Sequence, residues 1–182
     1  EKLLIFKINS KEQKPLVSEG IKENFIFREL FLDDILNYEV FKQKNRLIKY
    51  QNYLKSGHKI FGHFTKNGEL AGYIWLGFIP ENQDFPSRSG YVWDCRTLEK
   101  FRSLGIYRSA LIECRSKGVD LGLNQLIIAC HDYNIASKKA IEAAGFKLYS
   151  ASKIIKFPKF QIISKGFFSN KFSLNKKLYF LY

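Results

Sequence analysis

FRSLGIYRSAL, residues 101–111, is the stretch on which the reading of the fold turns. Arg102, Gly105 and the start of an apolar helical pattern (Ile106, Ala110, Leu111, Cys114) follow directly on the β-prone run 91–97. A loop that leads from a strand into a helix aims several unpaired amides outward, and the helix dipole favours an anion there. Arg102 adds a permanent cation, and Gly105 lets the main chain come close to a ligand. The chemistry suits a diphosphate. Alone, R-x-x-G-x-Y is a weak motif, and a plain turn into a helix reads it equally well.

Working outward, residues 125–131 are a compact apolar strand. Strand 91–97, helix 104–118 and strand 125–131 therefore form a β-α-β unit, which requires a locally parallel pair. Upstream, 24–30 alternates as a strand. Asp33 and Asp34 then cap a helix whose apolar spacing continues to a stop at Gly57. Runs 59–65 and 70–78 flank Asn67-Gly68, a hairpin signal because both residues tolerate positive φ. Residues 79–90 hold two prolines and a glycine and read as a loop. A short helix, 135–144, starts at the cap Asn134 and ends at Gly145, and 147–157 is a further strand. This is a mixed α/β pattern in one domain spanning 1–182, with a core of about 24–157 and an extension over 158–182.

Composition narrows the partners. The chain carries a net charge of +13, and 46% of its residues are hydrophobic. Residues 147–182 hold eight of the 30 basic residues and none of the 17 acidic ones, interleaved with nine aromatics such as Phe157, Phe160, Phe167, Phe168 and Phe172. Such a tail suits an anionic partner: a phosphorylated substrate, an anionic membrane surface or nucleic acid. No RNP, KH, helix-turn-helix or zinc pattern supports nucleic acid. No run is long enough to span a membrane. Cys95, Cys114 and Cys130 are odd in number and lack CxxC spacing, which argues against a disulfide framework or a metal site and fits a reducing cytoplasm.

At Arg102 and Gly105 the chain resembles the GNAT superfamily of N-acetyltransferases, whose signature [QR]-x-x-G-x-[GA] follows a strand and opens a long helix. Tyr107 stands where the family has a small residue. A second match is NIASKKAIEAAGF, residues 134–146, in which Asn134, Ser137 and Gly145-Phe146 fall on family positions. The resemblance implies helices on both faces of a mixed sheet splayed open between strands 91–97 and 125–131. It further implies acetyl-CoA as co-substrate, with no metal. The amides and side chains of Arg102, Ser103, Leu104, Gly105, Ile106 and Tyr107 would hold the pyrophosphate, and the main chain near Cys95 and Thr97 would pair with the pantetheine. Asn134 and Ser137 would meet the cofactor from the other side.

The proton path departs from the family. A family tyrosine near the closing glycine is Ile141 here, and two family Glu or His positions align with Tyr91 and Trp93. The remaining candidates are Tyr91, Asp94 and His131, with Tyr133 as a further donor. Strand alternation sets Asp94 opposite to Tyr91 and Trp93, facing away from the acyl group. Cys95 or Cys130 as an acyl carrier lacks an identifiable base. Direct attack of a primary amine on the thioester is the simpler route. The acceptor is read as a small molecule, phosphorylated or sugar-linked in one reading, near the aromatic residues Tyr38, Phe41, Trp75, Phe85 and Trp93. A CoA-binding module without catalysis and a basic membrane- or nucleic-acid-associated protein stay open as alternatives. Oligomeric state stays open too, a homodimer among the readings.

Overall fold

The computed structural model describes residues 2–10, 19–42, 46–80, 86–156 and 161–164. In chain order the elements are β1 (Lys2–Asn9), α1 (Glu19–Asn24), β2 (Phe25–Leu30), α2 (Leu32–Asn37), α3 (Arg46–Lys55), β3 (Lys59–Thr65), β4 (Leu70–Ile79), β5 (Ser89–Thr97), α4 (Ile106–Asp120), β6 (Gln125–His131), α5 (Ile135–Ala143), β7 (Lys147–Lys156) and β8 (Gln161–Ser164). Single 3₁₀ turns at Glu39–Phe41 and Glu99–Phe101 complete the path. The strands form one eight-stranded sheet in the order β2-β3-β4-β5-β6-β1-β7-β8.

All pairs are antiparallel except β5 with β6, the pair that the β-α-β pattern predicts. That parallel ladder is short. It runs from Ser89↔Gln125 to Val92↔Ile128 and stops, although both strands continue. Beyond Val92 the sheet is split, as expected for a splayed sheet.

The two faces carry separate apolar clusters. On one, α4 and α5 pack Ile106, Leu111, Cys114 and Ile141 against Phe6, Leu76, Leu126 and Ile128. On the other, α2 and α3 pack Ile35, Tyr50 and Tyr53 against Leu30, Ile60, Tyr73 and Trp75. A fully buried Leu or Ile contributes about 1.5–3 kcal/mol on such a face, so each helix is held chiefly by its apolar stripe.

Four features differ from the sequence reading. First, β1 lies between β6 and β7, so the sheet reaches back to Lys2, before the core start drawn at residue 24. Second, the helix expected to run unbroken to Gly57 is interrupted. Tyr38 leaves the helix with φ −91° and ψ 125°, its hydroxyl donates to the Gly68 carbonyl at 3.0 Å, and its ring packs on Phe64. These tertiary contacts override the local propensity. Third, α4 runs past Gly118 to Asp120, because Gly118 is an internal contact. A Cβ there would meet Leu126 at 3.3 Å. Fourth, only Gly68 of the Asn67-Gly68 pair takes positive φ (+81°), in a turn closed by Gly68 N–H to Thr65 O and Thr65 N–H to Glu69 O.

Among the described residues no helix is long and apolar enough to cross a membrane. Phe85 and the extension over 158–182, apart from the backbone of β8, lie outside the described residues, as does Phe157.

Candidate active site at the split between the parallel strands

The start of α4 is built to face a ligand. Gly105 is its N-cap, in the left-handed region (φ 80°, ψ 7°), and among the described residues no side chain caps the helix. The helix ladder opens with Ser109 N–H donating to Gly105 O at 3.0 Å, so the amides of Ile106, Tyr107 and Arg108 precede its first bond. A Cβ on Gly105 would have no atom within 4 Å, so the cap position itself is open. Arg102 is 63% exposed at the same corner, its guanidinium 3.8 Å from Glu99, a contact of little strength at an exposed site. Ser103 also takes a positive φ (+64°) in the turn between Arg102 and Gly105. Leu104 is exposed at its tip and Ile106 is buried beneath it, anchoring the turn to the core. Open amides, a dipole and a cation fit a diphosphate.

The helix start is held from within. One turn in, Ser109 Oγ lies 3.1 Å from Nε2 of the buried His63 on β3, and His63 Nδ1 has no partner among the described residues. Burial pushes the His63 pKa down to about 4, so the ring is neutral near pH 7. Arg108 Nε donates to the Ala143 carbonyl at 3.2 Å, tying α4 to the end of α5.

The split itself presents main chain from β5. Arg96 and Thr97 pair with Tyr73 and Gly72 of β4. Their opposite edge, with that of Cys95, lies beyond the end of the β6 ladder and faces the gap. Cys130 is the corresponding residue near the end of β6. Tyr107 packs in the same cluster as Cys95 and Cys130, with both thiols near its hydroxyl. Its hydroxyl is 3.2 Å from Ser137 Oγ on α5. Asn134, expected to touch the cofactor, accepts from Ser137 N–H at 3.1 Å and caps α5.

Asp94 corrects the parity argument. The β4–β5 register shifts between Tyr73 and Trp75, so β5 carries one extra residue there, and Asp94 takes a positive φ (+42°). A bulge of this kind resets strand alternation and re-aims a side chain. Trp93 packs on Trp75 and Tyr53, while Asp94 accepts from Tyr50 Oη at 2.6 Å, so both reach the α3 face. Tyr50 Oη is also 3.4 Å from Tyr73 Oη, and the Tyr53 hydroxyl is buried without a partner. Burial and the hydrogen bond to Asp94 raise the Tyr50 pKa, and burial pushes Tyr53 up to about 12. Tyr50 is thus a standing donor to an exposed carboxylate.

The other candidates divide between the two arms. Tyr91 stacks on Trp93 at 4.4 Å, with His58 edge-on to both rings, and burial raises its pKa. Gly77 lies opposite, where a Cβ would stand 2.5 Å from the Tyr91 ring. His131 sits on β6 and stacks on Tyr133 at 5.0 Å. Ile141 is fully buried. Tyr38, Phe41, Trp75 and Trp93, read as acceptor-pocket residues, all belong to the α3-side core. Burial raises all three cysteines, Cys114 to about 12, which disfavours a thiolate nucleophile.

Tyr50, Tyr53, Tyr73 and His63 were missed in the sequence. Tyr50 and Asp94 are 44 positions apart, and only the bulge brings them together.

Comparisons with known proteins agree with this geometry. The Acetyltransferase (GNAT) family matches residues 26–146. Among solved structures, the glucosamine N-acetyltransferase region of a fungal multi-domain β-N-acetylglucosaminidase superposes with TM-score 0.62 at 14% identity, over 83% of this chain and 20% of that one. A GNAT-family acetyltransferase from Colwellia psychrerythraea gives 0.56 at 18%, over 81% and 52%. A Trypanosoma brucei acetyltransferase gives 0.55 at 14%, over 69% and 94%. The chain thus spans about a fifth of the fungal protein and about half of the Colwellia protein. No curated protein matches it in sequence. At these identities the structures speak for the fold alone, while the family match covers most of the sequence: the chain belongs to the GNAT acetyltransferase family.

Proposed function

We propose that the protein transfers an acetyl group from acetyl-CoA to a primary amine by direct attack of the amine on the thioester. The observation that carries this reading is the uncapped start of α4, with Arg102 beside it, opening onto a sheet split just beyond Val92. In this reading the amides of residues 105–107 and Arg102 hold the pyrophosphate. The free edge of β5 near Cys95 and Thr97 pairs with the pantetheine and orients the carbonyl. A main-chain amide there strengthens its hydrogen bond as charge grows on the carbonyl oxygen.

Asp94 is the proton acceptor for the attacking amine. It is exposed, it lies at the bulge beside the split, and Tyr50 fixes its carboxylate at 2.6 Å. Tyr91 borders the same space, and His131 on the other arm is the alternative relay. The fungal neighbour's region is named for glucosamine, which puts amino sugars first among acceptors to try. A second reading, coenzyme A binding without turnover, draws on the fully buried Ile141 and on the ring of Tyr107 in the split.

Release of free thiol from acetyl-CoA, followed against a panel of amines that includes amino sugars and phosphorylated amines, tests this directly. Turnover with one amine supports the transferase. Coenzyme A binding without turnover across the panel leaves the binding module, and no binding overturns both.

A further inference from the structure

We propose that Tyr107 decides how much of coenzyme A the chain accepts: its ring stands in the split, and the thiol-bearing arm enters only when that ring swings out. This rests on the proposed reading of the α4 start as the nucleotide site.

One residue has two placements. The Tyr107 amide belongs to the open first turn of α4, where phosphates would sit. The side chain of the same residue packs against the core cluster that holds Cys130, with Cys95 of β5, Cys130 of β6 and Ser137 of α5 beside its hydroxyl. Because Ile106 beside it is buried and Ser109 is bonded to His63, the helix cannot turn to carry the ring away. Movement is left to the side-chain torsions. The nucleotide half of the ligand therefore meets a preformed site, and the arm meets an occupied one.

The ring is held by its packing in that cluster, and its hydroxyl by neutral partners, the Cys95 thiol and Ser137 Oγ at 3.2 Å. A hydrogen bond to such a partner shifts an equilibrium by only about threefold to tenfold. Burial raises the Tyr107 pKa, so the phenol stays neutral and swings out without separating charge. A ligand whose competent state is populated about one time in ten binds about tenfold more weakly than the open site would allow.

Isothermal titration calorimetry with two probes tests the proposal: coenzyme A, and 3′-phospho-ADP, which has the phosphates without the arm. Tyr107→Ala should bind coenzyme A about fivefold to tenfold more tightly than the parent. Tyr107→Phe, which keeps the ring and loses the latch, should gain about threefold. Affinity for 3′-phospho-ADP should stay within about twofold in both, because the amide is unchanged. Unchanged or weaker coenzyme A binding in Tyr107→Ala, with 3′-phospho-ADP still bound, overturns the gate and leaves the nucleotide site standing. If Tyr107→Ala does not fold, Tyr107→Phe decides, and no gain in coenzyme A affinity overturns the gate. Absence of 3′-phospho-ADP binding in the parent overturns the nucleotide-site reading and the gate with it.

Discussion

Two helices follow the two parallel strands, and they begin in opposite ways. α5 starts at Asn134, whose Oδ1 takes the amide of Ser137 at 3.1 Å, so its first turn is satisfied internally. α4 starts at Gly105, with no capping side chain among the described residues and open space at the cap position. A capped helix start is stable and closed to ligands. An uncapped one gives up about 1 kcal/mol of that stability and keeps an anion site. α4 is secured instead by Ser109 on His63, one turn further in, and by the Arg108 side chain on the Ala143 carbonyl. Stability and binding are thus placed at different depths of one helix.

The largest expected effect breaks the open start. Arg102→Glu replaces a cation with an anion beside the phosphate site and beside Glu99. Affinity for 3′-phospho-ADP should fall about 30- to 100-fold by calorimetry, as lost charge-assisted bonds and repulsion add. Asn134→Ala should leave that affinity within about twofold, since its amide oxygen is used inside α5. Equal losses in both variants would end the contrast between the two starts.

Next in size is the anchor beneath α4. The folded His63 pKa, about 4, lies below its ordinary value of about 6.5. Protonation then favours the unfolded chain. The contribution to stability is full above about pH 6.5 and is lost as pH falls toward 4, by about 2 kcal/mol at pH 5. Urea titrations at pH 7 and pH 5 read this loss, and His63→Gln should flatten it. A variant with the parent's pH slope would show that other groups carry the dependence.

The contrast itself was half legible in the sequence. Arg102, Gly105 and Asn134 mark the two starts because caps and left-handed glycines are local signals. The parallel pair was legible because a crossover of that length admits few alternatives. What stayed hidden depends on distant partners. β1 pairs Leu3 with His131, a contact across most of the chain. The break at Tyr38 depends on Gly68 and Phe64. Asp94 meets Tyr50 only because one extra residue enters β5, and residue patterns do not announce a bulge in which neither residue is glycine.

The closed start gives a smaller effect. Asn134→Ala removes the cap and leaves the Ser137 amide unpaired, at a cost of about 1 kcal/mol. For a domain of this size that lowers the melting temperature by about 3 °C in a calorimetric scan. A shift below the error of the scan would mean that water replaces the cap fully.

The smallest effect separates strain from function in the open loop. Ser103 holds φ at +64°, a region that costs a residue with a Cβ about 1 kcal/mol and costs glycine almost nothing. Ser103→Gly removes that strain, but it also loosens the unfolded chain by about 0.4–1 kcal/mol. The two nearly offset, so the free energy of unfolding should move by less than about 0.5 kcal/mol in either direction. Binding is the sharper readout. Serine at this φ restricts the turn that holds the α4 amides outward, and glycine leaves them freer. Affinity for 3′-phospho-ADP should therefore fall about twofold while stability stays level. A gain in affinity would mean that the strained turn opposes the ligand, and the open start of α4 would then owe its shape to Gly105 and Ile106 alone.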